Sequence, residues 1–430
     1  MKNLLKKIQQ NKPLLILLSC IHAVIMIAAI LWYSTLPFTL GDEVTLIETS
    51  ALIRNTLVKM DEKPDRDRFL FVNCAWEKQL IAHTDSNGFV IGNIDITNRK
   101  SLGRLVQVMN QKPDNHEFLL IDVRFYLESP DDSLLHAELP RLKNGILSYH
   151  KGANDKPLYP IFKAPLGLSD MESQTRSNQD DLMLKYHLVQ GDSLKTTPLL
   201  MYEKMHDETL QKGMFFDQLS GHFIHNSFII EHPIRKYDLF QAPDSLRYSY
   251  MHLGELVNLP DFVIQEFTKD RIVVVGDFED MDIHRTIYGK LPGPLILVNA
   301  FLSLENGDNI LSMGFLLFLF VTFAIISFKA LTLRDPVTVF LEKRFSSDHF
   351  WLELARDQMF YLVYFAIVSL LSYVFFNTQL TILVLSFYVY GVEQGVISLM
   401  EEKEQKDKKD ATEEADNEEK KIVNAKLMEQ

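Results

Sequence analysis

Residues 271–304 read RIVVVGDFEDMDIHRTIYGKLPGPLILVNAFLSL. The first six form an apolar run closing on Gly276, and 293–304 are apolar again over a helical length. Between them stand Asp277, Glu279, Asp280, Asp282, His284 and Thr286. A buried strand, a polar turn and an apolar helix make one step of an α/β fold, and such turns are where these folds keep their chemistry.

Outward from this stretch, β-type runs alternate with helical patterns. RFLFVNCAW (68–76), EFLLIDVRF (117–125) and GILSYH (145–150) read as strands. SLGRLVQVMNQK (101–112) reads as a helix with Leu102, Leu105, Val106 and Met109 on one side. DSLLHAELPRLK (132–143) is a helical stretch broken near Pro140, and 198–211 and 244–259 also read as helices. Residues 151–195, rich in Gly, Pro, Asp, Ser and Asn, read as an exposed loop or insertion. The alternation predicts an α/β domain with a largely parallel sheet.

The apolar residues at the two ends of the chain have a different meaning. LLILLSCIHAVIMIAAILWYSTL (14–36) carries no charge and covers a hydrocarbon core of about 30 Å at a rise of about 1.5 Å per residue. Three more such stretches begin at Ile310, Met359 and Leu380. Four transmembrane helices are therefore expected, one before and three after the polar middle. Lys2, Lys6, Lys7 and Lys12 precede the first, which puts the N-terminus in the cytoplasm and the middle region outside. The Lys- and Arg-bearing 329–358 loop then returns to the cytoplasm. The reading divides the chain into a cytoplasmic N-terminus (1–13), span one (14–36), an outer domain (37–309), span two (310–328), a cytoplasmic loop (329–358), span three (359–376), span four (380–400) and a charged cytoplasmic tail (401–430). Within the outer domain, 38–60 fits an amphipathic helix leading away from span one. The apolar run continues past Cys20 to Leu36, which favours an uncleaved anchor over a signal peptide or lipoprotein box.

Composition excludes some functions. A net charge of −13 leaves no concentrated basic surface for nucleic acid. Two cysteines, Cys20 and Cys74, read as buried thiols rather than a disulfide framework. Asp277, Glu279, Asp280, Asp282 and His284 could approach a cation, but neither paired cysteines nor helically spaced histidines accompany them, so no metal or other cofactor is expected. His222 and His225 read as surface or structural residues. No nucleophile elbow or phosphate loop occurs, so no enzyme is expected. Of Asp95, Asp122, Asp131 and Asp132, Asp122 stands out. It interrupts a buried run, where a charge needs a partner or a functional reason. In span four, Glu393 lies between Gly391 and Gly395, and it is expected to bond a neighbouring span or a helix of a partner or second copy.

These residues carry a resemblance. Gly276, Asp282, His284, Thr286, Gly289, Pro292, Gly293, Asn299 and Ala300 resemble the closing motif of the CHASE sensory domains, second type. Ile287 stands where that pattern has a proline. Asp122, with Asp131 or Asp132, resembles the family's strand-end and helix-start acids. The resemblance spans roughly 65–309 and implies an extracytoplasmic sensory domain in a bacterial inner membrane. It makes Asp122, Asp282, His284, Thr286, Gly293 and Asn299 the candidate ligand-sensing or structural motif. It further implies an unknown extracytoplasmic ligand and a separate cytoplasmic or membrane signalling partner, while the apolar spans imply contact with membrane lipid and the Gly391–Glu393–Gly395 pattern allows a homo-oligomer. The usual cytoplasmic output domain is missing. The competing expectations are a structural component of a cell-envelope complex and, less favoured, a membrane-anchored metal-dependent enzyme.

Overall fold

The computed structural model describes residues 11–34, 47, 49–50, 53, 63–84, 87, 89–152, 156–170, 182–183, 185–191, 193–213, 216–279, 281–332, 350–378 and 380–398. The expected amphipathic helix at 38–60 and the charged tail at 401–430 lie largely or wholly outside these residues. The chain divides into two units: Ser34–Ser312 with Phe376–Thr378, and the apolar remainder.

The first unit is an α/β domain. Its main sheet uses β1 (Phe69–Asn73), β2 (Phe118–Ile121), β3 (Gly145–Lys151), β4 (Leu166–Leu168), β5 (Ser249–His252) and β6 (Ile272–Gly276) in the order β5-β1-β6-β2-β3-β4. All five pairings along that path are parallel. Only Pro157–Leu158 joins antiparallel, against β3. The last strand in sequence, β6, inserts between the first two.

Both faces of the sheet are covered, which explains why its strands read as continuous apolar runs. Phe69, Phe71, Phe118, Leu120, Ile272 and Val274 face one core, together with the helices Thr197–Met205 and Gly293–Glu305. Leu70, Val72, Leu119, Ile121, Val273 and Val275 face the other, beneath Arg99–Gln111, Ser133–Glu138, Leu253–Val257 and Asp261–Thr268. Asn98 starts Arg99–Gln111 as an N-cap, its side chain accepting from the Ser101 N–H at 3.0 Å.

The central helix, Gly293–Glu305, is buried over every residue from Gly293 to Leu304. The sheet covers one side, and Tyr186, Leu188, Phe228, Ile230 and Ile234 share the same core. That is why it lacks a polar face.

Three expectations are corrected. Residues 151–195 are not simply a loop, because 166–168 form β4 and 182–195 supply further short strands. Strands of two or three residues are too short for a periodic pattern to declare them. The predicted helix at 244–259 is instead the edge strand β5 followed by the short helix Leu253–Val257. Tyr248 and Tyr250 suit the pleated edge better than a helix. The strand read at 117–125 stops at Ile121, leaving Asp122 beyond its end.

The second unit holds the apolar helices. Lys12–Ser34 and Met313–Thr332 are long and apolar enough to cross a membrane, as is Met359–Phe376 within the helix Phe350–Phe376. A fourth apolar helix, Ile382–Ser398, is shorter than the 20 or so residues of a full span. The protein is thus a multi-pass membrane chain with an α/β domain between its apolar ends. Polar side chains link the helices. His22 meets the Ser327 hydroxyl at 2.8 Å and the Tyr388 hydroxyl at 3.0 Å. Tyr364 donates to the Thr322 carbonyl at 2.7 Å.

Candidate functional site

Parallel α/β sheets place ligands outside the carboxyl ends of their strands. A cavity of about 280 Å³ opens there, at the ends of β1, β6, β2 and β3. Asp122, His150, Asp277 and Asp282 line it from the strand ends and the following turns. Lys78 and residues 94–97 line it from the antiparallel hairpin Lys78–Thr84/Val90–Thr97, and Arg124 and Tyr126 from the turn after β2.

Asp122 is buried, with 8% of its surface exposed. Its Oδ1 accepts from the Ser169 hydroxyl at 2.8 Å, while Oδ2 has no hydrogen bond of acceptable geometry. Loss of hydration, then the negative charge of Asp282, pushes the Asp122 carboxyl above the usual carboxylate range, against the pull of His150, Ser169 and Ser148. The same burial acts on Asp282. There, however, a 2.9 Å contact from His284 Nε2 and the charges of His284, His150 and Arg124 hold the carboxyl low. The two carboxyl groups on one cavity are thus shifted in opposite directions, Asp122 toward the protonated form and Asp282 toward the ionised one.

Backbone fit brings Asp282 into position. A Cβ at position 293 would overlap Asp282 Oδ2, and one at position 276 would overlap the Pro294 ring. The Gly293 N–H also donates to the Asp282 carbonyl at 2.7 Å. The Asp282 carboxylate therefore sits at the amino end of the central helix, where the helix dipole favours negative charge.

His150 Nδ1 contacts Asp170 Oδ1 at 2.8 Å. Burial lowers the proton affinity of His150, but its hydrogen bond to Asp170 and the charge of the nearby carboxyl groups outweigh it, so the net direction is upward. Arg124 is exposed at the rim, and its side chain makes no hydrogen bond or ion pair among the described residues. Its backbone is held by Arg99, fully buried against the Phe125 ring at 4.6 Å and paired with Asp132 at 3.3 Å.

Cys74 also lines the cavity. Desolvation pushes its thiol up to about 12, so it is an inert wall rather than a nucleophile.

The motif residues singled out in the sequence separate into two groups. Asp122 and Asp282 line the cavity, and His284 and Gly293 touch Asp282 beside it. Thr286 and Asn299 are structural. The Thr286 hydroxyl donates to the Gly289 carbonyl at 2.9 Å and closes the hairpin Ile283–Thr286/Gly289–Pro292. Asn299, fully buried, accepts from the Ile234 N–H at 3.1 Å and donates to the Ile234 carbonyl at 2.9 Å. Asp131 and Asp132 are ion-paired with Lys100 and Arg99 and lie outside the cavity lining.

No metal-binding cluster occurs among the described residues. Asp280 lies outside them, and Glu279 accepts from Asn73 at 2.7 Å and from the Trp76 indole at 2.8 Å. In the membrane unit, Glu393 accepts from the Tyr361 hydroxyl of the neighbouring helix at 2.7 Å, and Gly391 and Gly395 have open space where a Cβ would stand.

Sequence reasoning missed Asn73, Lys78, Arg124, His150 and Ser169. Asn73 carried a readable signal, since it ends the apolar run FLFVN as Asp122 ends FLLI. Its buried amide also accepts from the Ala75 and Phe278 N–H groups and so fixes the turn after β6.

No family model, curated protein or solved structure matches the chain.

Proposed function

We propose that this chain is a bacterial inner-membrane sensor. Its α/β unit, outside the cytoplasm, binds a small ligand in the crevice and acts through the membrane helices on a separate output protein. The observation that carries the reading is Asp122: a buried carboxyl with one oxygen unpaired, on a cavity that a second carboxyl group, Asp282, and a rim guanidinium also line. Unsatisfied buried polar atoms are costly, and a ligand is the simplest return for that cost.

A covalent route for the signal supports it. The central helix begins at Gly293 against Asp282 and ends at Glu305, and only 306–312 precede the next helix at Met313. The Lys and Arg distribution supports the orientation. The resemblance to the CHASE sensory domains, second type, rests partly on the residues that meet at the crevice. We read the site as binding rather than catalytic, because burial keeps the Cys74 thiol protonated and no nucleophile–base pair lines the cavity among the described residues.

One observation favours the alternative of a structural component docked in an envelope complex. Trp76 and the hairpin after it expose Leu80, Phe89, Val90 and Ile91. Exposed apolar groups of this kind mark interaction surfaces.

Partner capture separates the two. The tagged full chain is crosslinked in native membranes, and partners are identified for wild type and Asp122→Asn. A partner whose yield changes with the variant supports the sensor. An identical partner set and yield for both variants contradicts it. For orientation, a reporter active only outside the cytoplasm should work after Asp155 and stay silent after Lys343 or Lys408.

A further inference from the structure

We infer that the crevice takes a small zwitterion, its ammonium held between the Asp122 and Asp282 carboxyl groups and its carboxylate held by the Arg124 guanidinium. This rests on the ligand-site reading above and adds the ligand's chemistry.

Asp122 Oδ2 is buried without a hydrogen bond, although its residue lines the cavity. Asp282 lines the same cavity, close enough for its charge to raise the proton affinity of Asp122. A cationic donor between them would satisfy the idle oxygen and allow both carboxyl groups to carry charge. Arg124, at the same cavity, presents up to five N–H donors with no protein acceptor among the described residues. Its fork geometry suits a carboxylate.

The charges also exclude the simpler classes. Lys78 and Asp277 pair with each other at 3.7 Å, so a purely anionic ligand would set its charge against Asp282 and a purely cationic one against Arg124. Only a molecule with both signs answers both ends. At about 280 Å³ the cavity lies at the small end of ligand pockets, which suits a free amino acid rather than a nucleotide. A bound ammonium favours ionised Asp122, so binding releases the Asp122 proton to solvent and the ammonium replaces it as counter-charge.

The test uses the full chain in lipid nanodiscs, with thermal unfolding followed by tryptophan fluorescence. The probes are the common amino acids, each with its decarboxylated amine and its deaminated acid as controls. At least one amino acid should raise the midpoint while neither of its controls does. Asp122→Asn and Arg124→Gln should each weaken that response about tenfold or more, leaving the ligand-free midpoint near wild type. An amine or acid acting as well as the amino acid, with the effect lost in Asp122→Asn, overturns the zwitterion and leaves the crevice as the ligand site. An amino-acid response that both variants retain overturns both claims. If no probe of the three classes shifts the midpoint, the zwitterion is overturned, and partner capture alone then decides the sensor reading.

Discussion

Asn299, on the outer side of the central helix, and Asp122, at the crevice by its amino end, are both polar and both buried, yet they are bonded on opposite terms. On the outer side, Asn299 gives and receives one hydrogen bond each with the Ile234 backbone, replacing the strand partner that segment lacks. The segments packed there bury His187, His225 and His232. At the crevice, Asp122 uses one oxygen and leaves the other idle beside a second carboxyl group. A fully bonded buried polar group fixes one structure, whereas a half-bonded one holds free energy that a ligand can recover.

Acid should act most strongly on the outer side. Burial lowers His187 and His225 to about 4 and His232 to about 3, with the charge of Lys185 or Arg235 adding to it. The native domain therefore binds fewer protons than the unfolded chain below the ordinary histidine value of about 6.5. Stability is full above that pH and should fall toward pH 4, by at most about 1.4 kcal/mol per pH unit for each histidine. Denaturant unfolding across pH 7 to 4 measures it, and replacing His232 with Gln should flatten the slope. A slope unchanged by the replacement breaks this half of the comparison.

Next in size, Asn299→Leu leaves the Ile234 N–H and carbonyl buried and unpaired and should cost about 3 kcal/mol in the same assay. Gly293→Ala follows, at about 2 kcal/mol, because the new methyl displaces the Asp282 carboxylate from the helix start. It should also remove any ligand response. Retention of that response would detach Asp282 from the site.

The smallest change is expected at Asp122→Asn, within about 1 kcal/mol at pH 7, since a neutral amide copies a protonated carboxyl. Its pH dependence runs opposite to that of the histidines. Asp122, raised by burial and by Asp282, contributes stability below the ordinary carboxylate value that is lost as pH climbs through its folded value. The variant should lack that decline. A wild-type profile as flat as the variant's would remove the contrast.

Much of this was legible in sequence, and for a physical reason. A parallel strand buried on both faces has no alternation, so a polar residue at its end stands out, as Asp122 did after FLLI. The close approach of Asp282 to the helix start needs Gly293, so it too left a local mark. His150, Arg124 and Lys78 left none. They come from separate strands and turns, and only the insertion of β6 between β1 and β2 makes neighbours of their carboxyl ends. Asn299 and Thr286 entered the candidate motif only through the resemblance, which cannot tell a closed hydrogen-bond set from an open one. β5 went unread because an edge strand of four half-buried residues has no clear period.

The ligand-site reading predicts that Asp122, whose proton affinity burial raises, keeps a proton at pH 7 until a ligand ionises it. Infrared difference spectroscopy of the full chain against Asp122→Asn at pH 7 reads that proton directly. The account predicts a protonated carboxyl stretch in the wild type that the variant lacks and that diminishes when a bound amino acid ionises the group. A difference spectrum showing only an ionised carboxylate at Asp122 would contradict it.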